Sequence, residues 1–110
     1  MDETLDDLAS ACHAIAVEKG FWDSPKTPDF FLAKMALISS EVSEVLEAYR
    51  KEQGSFAIAE EFADIIIRTV DLFSGMQEAG IIDTLESLDG VIENKIHINA
   101  NRERKHGNLI

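Results

Sequence analysis

Basic side chains are scarce in this chain. Ten Lys and Arg stand against 21 Asp and Glu in 110 residues, a formal net charge of −11. Such an acidic body is unsuited to a nucleic-acid backbone, which needs a basic footprint, and is well suited to cations. The shortage is uneven. Residues 1–94 carry six basic and twenty acidic side chains, residues 95–110 four basic and one acidic, so the last stretch offers local positive charge. Cys12 is the only cysteine, which excludes an internal disulfide and a cysteine-based zinc cluster. No apolar run approaches the ~18 residues of a membrane span, and the opening MDETLDDL is acidic, unlike a signal peptide. A cytoplasmic protein with no membrane or nucleic-acid partner is expected. There is no Walker loop, no G-x-S-x-G and no H-E-x-x-H. E-x-x-H occurs once, in ERKH at 103–106, whereas di-iron chemistry of the ferritin kind needs two copies.

Proline occurs twice and glycine six times, so few breaks interrupt the chain. They fall at Gly20 with SPKTP at 24–28, at Gly54-Ser55 and at Gly80. Four helically periodic segments lie between them, and none shows sustained strand alternation. The expectation is all-α: one domain over 1–110, a four-helix bundle-like subunit with helices near 5–19, 28–53, 56–78 and 84–104. Thr4 and Asp7 form a capping-box pattern, as do Asp83 and Glu86, while Thr27 and Pro28 suit an N-cap and first helical position. Gly90 falls inside the fourth segment at a mild local cost.

The second segment carries the stripe Phe31, Met35, Ile38, Val42, Val45, Tyr49, and the third Ile58, Phe62, Ile65, Thr69, Leu72, Met76. Both alternate steps of four and three, as in helices packed nearly parallel or antiparallel. Ile65, Ile66 and Ile67 follow one another and point three ways around their helix. Covering all three calls for more than one neighbour, so a homodimer or homotetramer is expected.

Beside these stripes lie two acidic pairs, Glu41 with Glu44 and Glu61 with Asp64. At ~100° per residue, Glu44 falls about 60° behind Glu41, and Val45 about 40° ahead. Asp64 and Ile65 stand in the same relation to Glu61. Glu47 and Glu60 swing outward to solvent. If the stripes pack together, four carboxylates meet at one seam. One reading is ordinary solvated acids on an acidic protein. The other is a site for a hard divalent cation, which would relieve mutual repulsion among oxygen donors.

Further residues carry two readings each. Lys95, Asn99 and Arg102 continue the face of Leu85, Leu88 and Ile92. They suit either a helix end with cations at its negative pole or a phosphate-contacting set. Arg68, seven residues after Glu61, either neutralises the carboxylates or meets substrate. Lys34, seven before Glu41, lies on the same face, where solvent exposure is expected. His13 and Trp22 suit surface and core, or a nucleobase contact.

The segments ALISSEVSEVLEAYRK, EEFADIIIRTVDL and NKIHINANRERKHG resemble successive blocks of the small bacterial and phage MazG-like all-α nucleotide pyrophosphohydrolases. With the Trp22 region they span most of the chain. E-x-x-E, sixteen residues, then E-x-x-D is the short core of the likeness, and K-x-x-x-N-x-x-R with a terminal H-G extends it. The resemblance implies that Glu41, Glu44, Glu61 and Asp64 hold Mg²⁺, with Mn²⁺ as a substitute. It implies that Lys95, Asn99 and Arg102 lie at the nucleotide, and that His13 and Trp22 sit where some relatives hold the base. Arg68 stands where eukaryotic dCTP-cleaving relatives have tyrosine, and Glu103 where small relatives often have proline, so base preference and tail contacts do not carry over. The implied reaction takes a (deoxy)nucleoside triphosphate and water to monophosphate and pyrophosphate, clearing unwanted nucleotides. Glu41 or Glu44 would accept the water proton, and Lys95 and Arg102 would steady the leaving side. A phosphoribosyl-ATP-cleaving enzyme on the same helices and a non-catalytic helical dimer acting as a binding module remain alternatives.

Overall fold

A computed structural model describes residues 4–103, and the tail portion of ERKH and the H-G pair lie outside them. Four helices follow in order: α1 (Leu5–Glu18), α2 (Pro28–Arg50), α3 (Ser55–Glu78) and α4 (Leu88–Ala100). No strand occurs among the described residues, and none of these helices is long and apolar enough to cross a membrane. α3 is the central element. α1 and α2 both pack on it, and α4 packs on α1 alone.

Local chemistry sets the helix starts. The Thr4 hydroxyl accepts from Asp7 N at 3.1 Å and the Asp7 carboxylate from Thr4 N at 3.2 Å, a complete capping box. Thr27 caps α2 by accepting from Phe30 N at 3.2 Å, with Pro28 in the first turn where its missing N–H costs nothing. At their ends α1, α2 and α3 share one device. The chain turns left-handed just past the cap, and its next two amides return to carbonyls of the last turn. Gly20 and Gly80 supply the left-handed residue for α1 and α3, but α2 uses Glu52, at φ 52°. A side chain there is strained. The absence of glycine hides this stop in the sequence: the expected end near 53 is corrected to Arg50, where the left-handed turn at Glu52 ends α2.

The fourth helix departs further from expectation. It begins at Leu88, not 84, and ends at Ala100, not 104. The Asp83 carboxylate accepts from Leu85 N at 2.9 Å, closing a turn of its own rather than capping a helix. Ser87 is the N-cap, accepting from Gly90 N at 3.2 Å, which puts Gly90 in the first turn. Capping also crosses between helices. Asp6 accepts from Leu88 N at 2.8 Å, Asp89 N at 3.1 Å and Ser87 Oγ at 2.7 Å. Asp89 accepts from Leu5 N and Asp6 N, both at 3.0 Å. Each helix thus lends an aspartate to the amides of the other's first turn, where the dipole favours negative charge. These bonds, led by the Ser87 hydroxyl and the Asp89 side chain, lower the Asp6 pKa from 3.8 to about 2.

The core gathers at one end, where Trp22, Ala16, Phe31 and Leu72 cluster with Phe30, Ile38 and Met76 against them. The tip of the Trp22 indole closes on Gly75 of α3; a β-carbon there would collide with the ring. Gly75 therefore costs helix propensity but makes room for the largest side chain of the core. At the other end the stripes of α2 and α3 are uncovered. Val42, Leu46, Tyr49 and Phe62 are 54%, 54%, 71% and 54% exposed, so the outer half of the α2–α3 hairpin is an apolar groove. Of the three consecutive isoleucines, Ile65 is half-buried while Ile66 and Ile67 remain exposed.

Candidate carboxylate site

The four-residue loop 51–54 returns α3 against α2, which brings the two acidic pairs to one seam. Glu41, Glu61 and Asp64 each offer a carboxylate oxygen within 4.8 Å of the others. Glu41 and Glu61 are half-buried; Asp64 and Glu44 are exposed. Glu44 stands outside the close trio, yet it is the charge that bears most on Glu61. The Glu61 pKa is raised, first by loss of water and then by the charges of Glu44, Asp64 and Glu41, with a hydrogen bond to Asp64 adding to the effect. Mutual repulsion at Glu61 is the kind of charge crowding that a hard cation with oxygen ligands would relieve.

Arg68 joins the site from α3. Its Nε donates to Glu41 Oε1 at 3.0 Å, so one predicted role, neutralising the carboxylates, is present in the fold. Arg68 also lines a cavity of about 250 Å³ with Cys12, Phe21, Glu41, Asp64 and Asp71, among others. Beside it, Phe21, Lys34, Leu37, Arg68 and Asp71 line a second cavity of about 230 Å³.

His13 and Trp22 are placed differently from a surface contact. Trp22 is 5% and His13 8% exposed, their rings edge to face with centroids 4.8 Å apart. Asp71 joins them: its Oδ1 accepts from Trp22 Nε1 at 2.9 Å and lies 2.7 Å from His13 Nδ1. The other ring nitrogen of His13 faces Glu78 Oε2. These contacts tie α1 and the loop after it to α3. Asp71 received no role from the sequence, although it lies seven residues after Asp64, on the carboxylate face of α3.

Lys34 was expected in solvent and is instead half-buried. Its ammonium donates to Phe21 O at 2.8 Å and sits 4.7 Å from the Trp22 ring centroid and 5.2 Å from that of Phe30. Spacing put it on the carboxylate face. The fold-back of the 20–27 loop, which no motif announces, brings the aromatic rings to it. Lys95, Asn99 and Arg102 are exposed on α4 and just past its end. Among the described residues no hydrogen bond or ion pair joins them to the acidic pairs, and α4 touches neither α2 nor α3. Within one chain the fold unites the α2 and α3 candidates and leaves the α4 set apart.

No family model matches the chain, and no curated protein and no solved structure matches it.

Proposed function

We propose that the chain is a Mg²⁺-dependent nucleoside triphosphate pyrophosphohydrolase of the MazG-like kind, releasing pyrophosphate and a nucleoside monophosphate. The observation that carries this reading is the trio Glu41, Glu61 and Asp64, with oxygens within 4.8 Å on two packed helices, where the resemblance assigns metal ligands. Magnesium, when bound, neutralises phosphate charge and lowers the pKa of a bound water. Glu41, tied to Arg68, is the weaker candidate base. Glu44, exposed and with no side-chain hydrogen bond among the described residues, is free to take the proton from a water attacking the α-phosphorus.

The test is pyrophosphate release from the common ribo- and deoxyribonucleoside triphosphates, with Mg²⁺ and with Mn²⁺. Turnover of at least one substrate, lost in Glu61→Gln, is expected. A folded chain that leaves all of them intact refutes the reading.

We also propose that the working form is a cytoplasmic homodimer or homotetramer. The support is the uncovered strip of Val42, Leu46, Tyr49 and Phe62, an apolar area that water disfavours. It would also offer α4 of one copy a route to the carboxylates of another. Sedimentation equilibrium of wild type and Phe62→Glu checks this: an associating wild type and a monomeric variant are expected, and a monomeric wild type at high concentration refutes it.

A further inference from the structure

Two cations beside the carboxylates keep donors that the fold does not use. Lys34 directs one ammonium proton to Phe21 O. Arg68 directs Nε to Glu41, and its two terminal amino groups make no hydrogen bond among the described residues. Both line the same cavity of about 230 Å³. Through Phe21, Arg68 and Asp71 that cavity shares a wall with the one bounded by Glu41 and Asp64. The Lys34 amine is held below its ordinary pKa by burial; the attraction of Asp71 opposes this, and the smaller repulsions of Arg68 and then Lys26 add to it. An anion between Lys34 and Arg68 would relieve that repulsion.

We propose that Lys34 and Arg68 form a clamp for the polyphosphate chain of the substrate, a role that rests on the phosphoanhydride chemistry proposed for the neighbouring carboxylates. An arginine fork offers paired donors to phosphate oxygens, and a lysine adds a compact charge. Glu41 and Asp71 offset the two positive charges. A cation held by the carboxylates would take up the charge of Glu41 and leave Arg68 uncompensated. Phosphate binding is therefore coupled to cation binding. The clamp belongs to α2 and α3 themselves and so needs nothing from α4.

The chain contains its own reporter, because Trp22 is the only tryptophan and the Lys34 ammonium lies over its ring. Inorganic tripolyphosphate is titrated into the full chain with Mg²⁺ in excess, following Trp22 emission. A saturable change is expected, with affinity about tenfold weaker in Lys34→Gln and in Arg68→Gln and nearly restored in Lys34→Arg. Lys51→Gln, at an exposed pair with Glu47, is expected to bind as wild type. Wild-type affinity in both glutamine variants, with folding verified by circular dichroism, overturns the clamp, as does an equal loss in Lys51→Gln. If Lys34→Gln does not fold, Arg68→Gln decides. The two proposals fail separately. Tripolyphosphate binding through Lys34 without any triphosphate hydrolysis sinks the enzyme and keeps the clamp. Hydrolysis with KM unchanged in Lys34→Gln and Arg68→Gln does the reverse.

Discussion

Arg68 on α3 reaches across the helix seam and donates Nε to Glu41 Oε1 on α2 at 3.0 Å, with the Glu41 side chain only 15% exposed. The bond does two things. It ties the helices together beside the acidic trio, and it cancels part of the charge a cation would meet. Removing the guanidinium leaves Glu41 more negative and freer to turn. Arg68→Gln is therefore expected to bind Mg²⁺ several-fold more tightly than wild type at low salt, with the gain shrinking as salt screens it. Calorimetry at two ionic strengths measures this. Weaker binding in the variant would mean that Arg68 positions Glu41 rather than opposing the cation.

Glu61 predicts a pH dependence. Its folded-state pKa lies above the ordinary 4.5, so the folded chain holds this proton more tightly than the unfolded chain does. That contribution favours folding at pH below 4.5 and is lost as pH rises through the raised value. At neutral pH the ionised Glu61 works against the fold. Glu61→Gln is expected to melt above wild type at pH 7 without metal, with the difference gone near pH 4, and to lose the rise in melting temperature that Mg²⁺ gives wild type. Melting curves at both pH values, with and without Mg²⁺, decide it.

Asp6 runs the other way. Its pKa falls from 3.8 to about 2 on folding, so its stabilisation is complete above pH 3.8 and drains away as pH falls toward 2. Asp6→Asn is expected to flatten the acid limb of the stability curve over that window. Asp6→Ala is expected to cost about 1 kcal/mol at pH 7, the usual loss for a helix cap. Urea unfolding across the acid range measures both.

Glu52 holds a left-handed conformation at φ 52°, a site where glycine carries no side-chain penalty. Glu52→Gly is expected to stabilise the chain by about 0.5–1 kcal/mol, the strain relieved less the added freedom of the unfolded chain. Turnover should not change, because Glu52 lies beyond the end of α2. A lower melting temperature in Glu52→Gly would show that the turn is not strained.

The sequence discloses structure wherever the cause is local. Thr4 with Asp7, and Thr27 with Pro28, mark the starts of α1 and α2 because a cap acts over three residues. The register of Glu41 against Val45, and of Glu61 against Ile65, places three carboxylates at one seam because both helices are regular. What it hides depends on distant partners. Asp83 and Glu86 imitate a capping box, while the residue that completes the real start of α4 is Asp6, 81 residues from Ser87. The burial of Trp22 depends on Gly75 half a chain away, and the position of Lys34 depends on where Trp22 lands. Glu44 shares the register of the trio but not its closeness, because rotation about a helix axis fixes direction and leaves side-chain reach open.

The crossed aspartates at the α1 and α4 amino ends have a mechanical consequence. α4 rests on no helix but α1 and is clasped at its first turn, so it behaves as a boom pinned at its heel. Its far end, where Asn99 and Arg102 ride, is the part with the longest sweep. Amide exchange is expected to quicken from Leu88 toward that tip while α3 stays protected, and swivelling of the boom will leave the seam between Glu41 and Glu61 undisturbed.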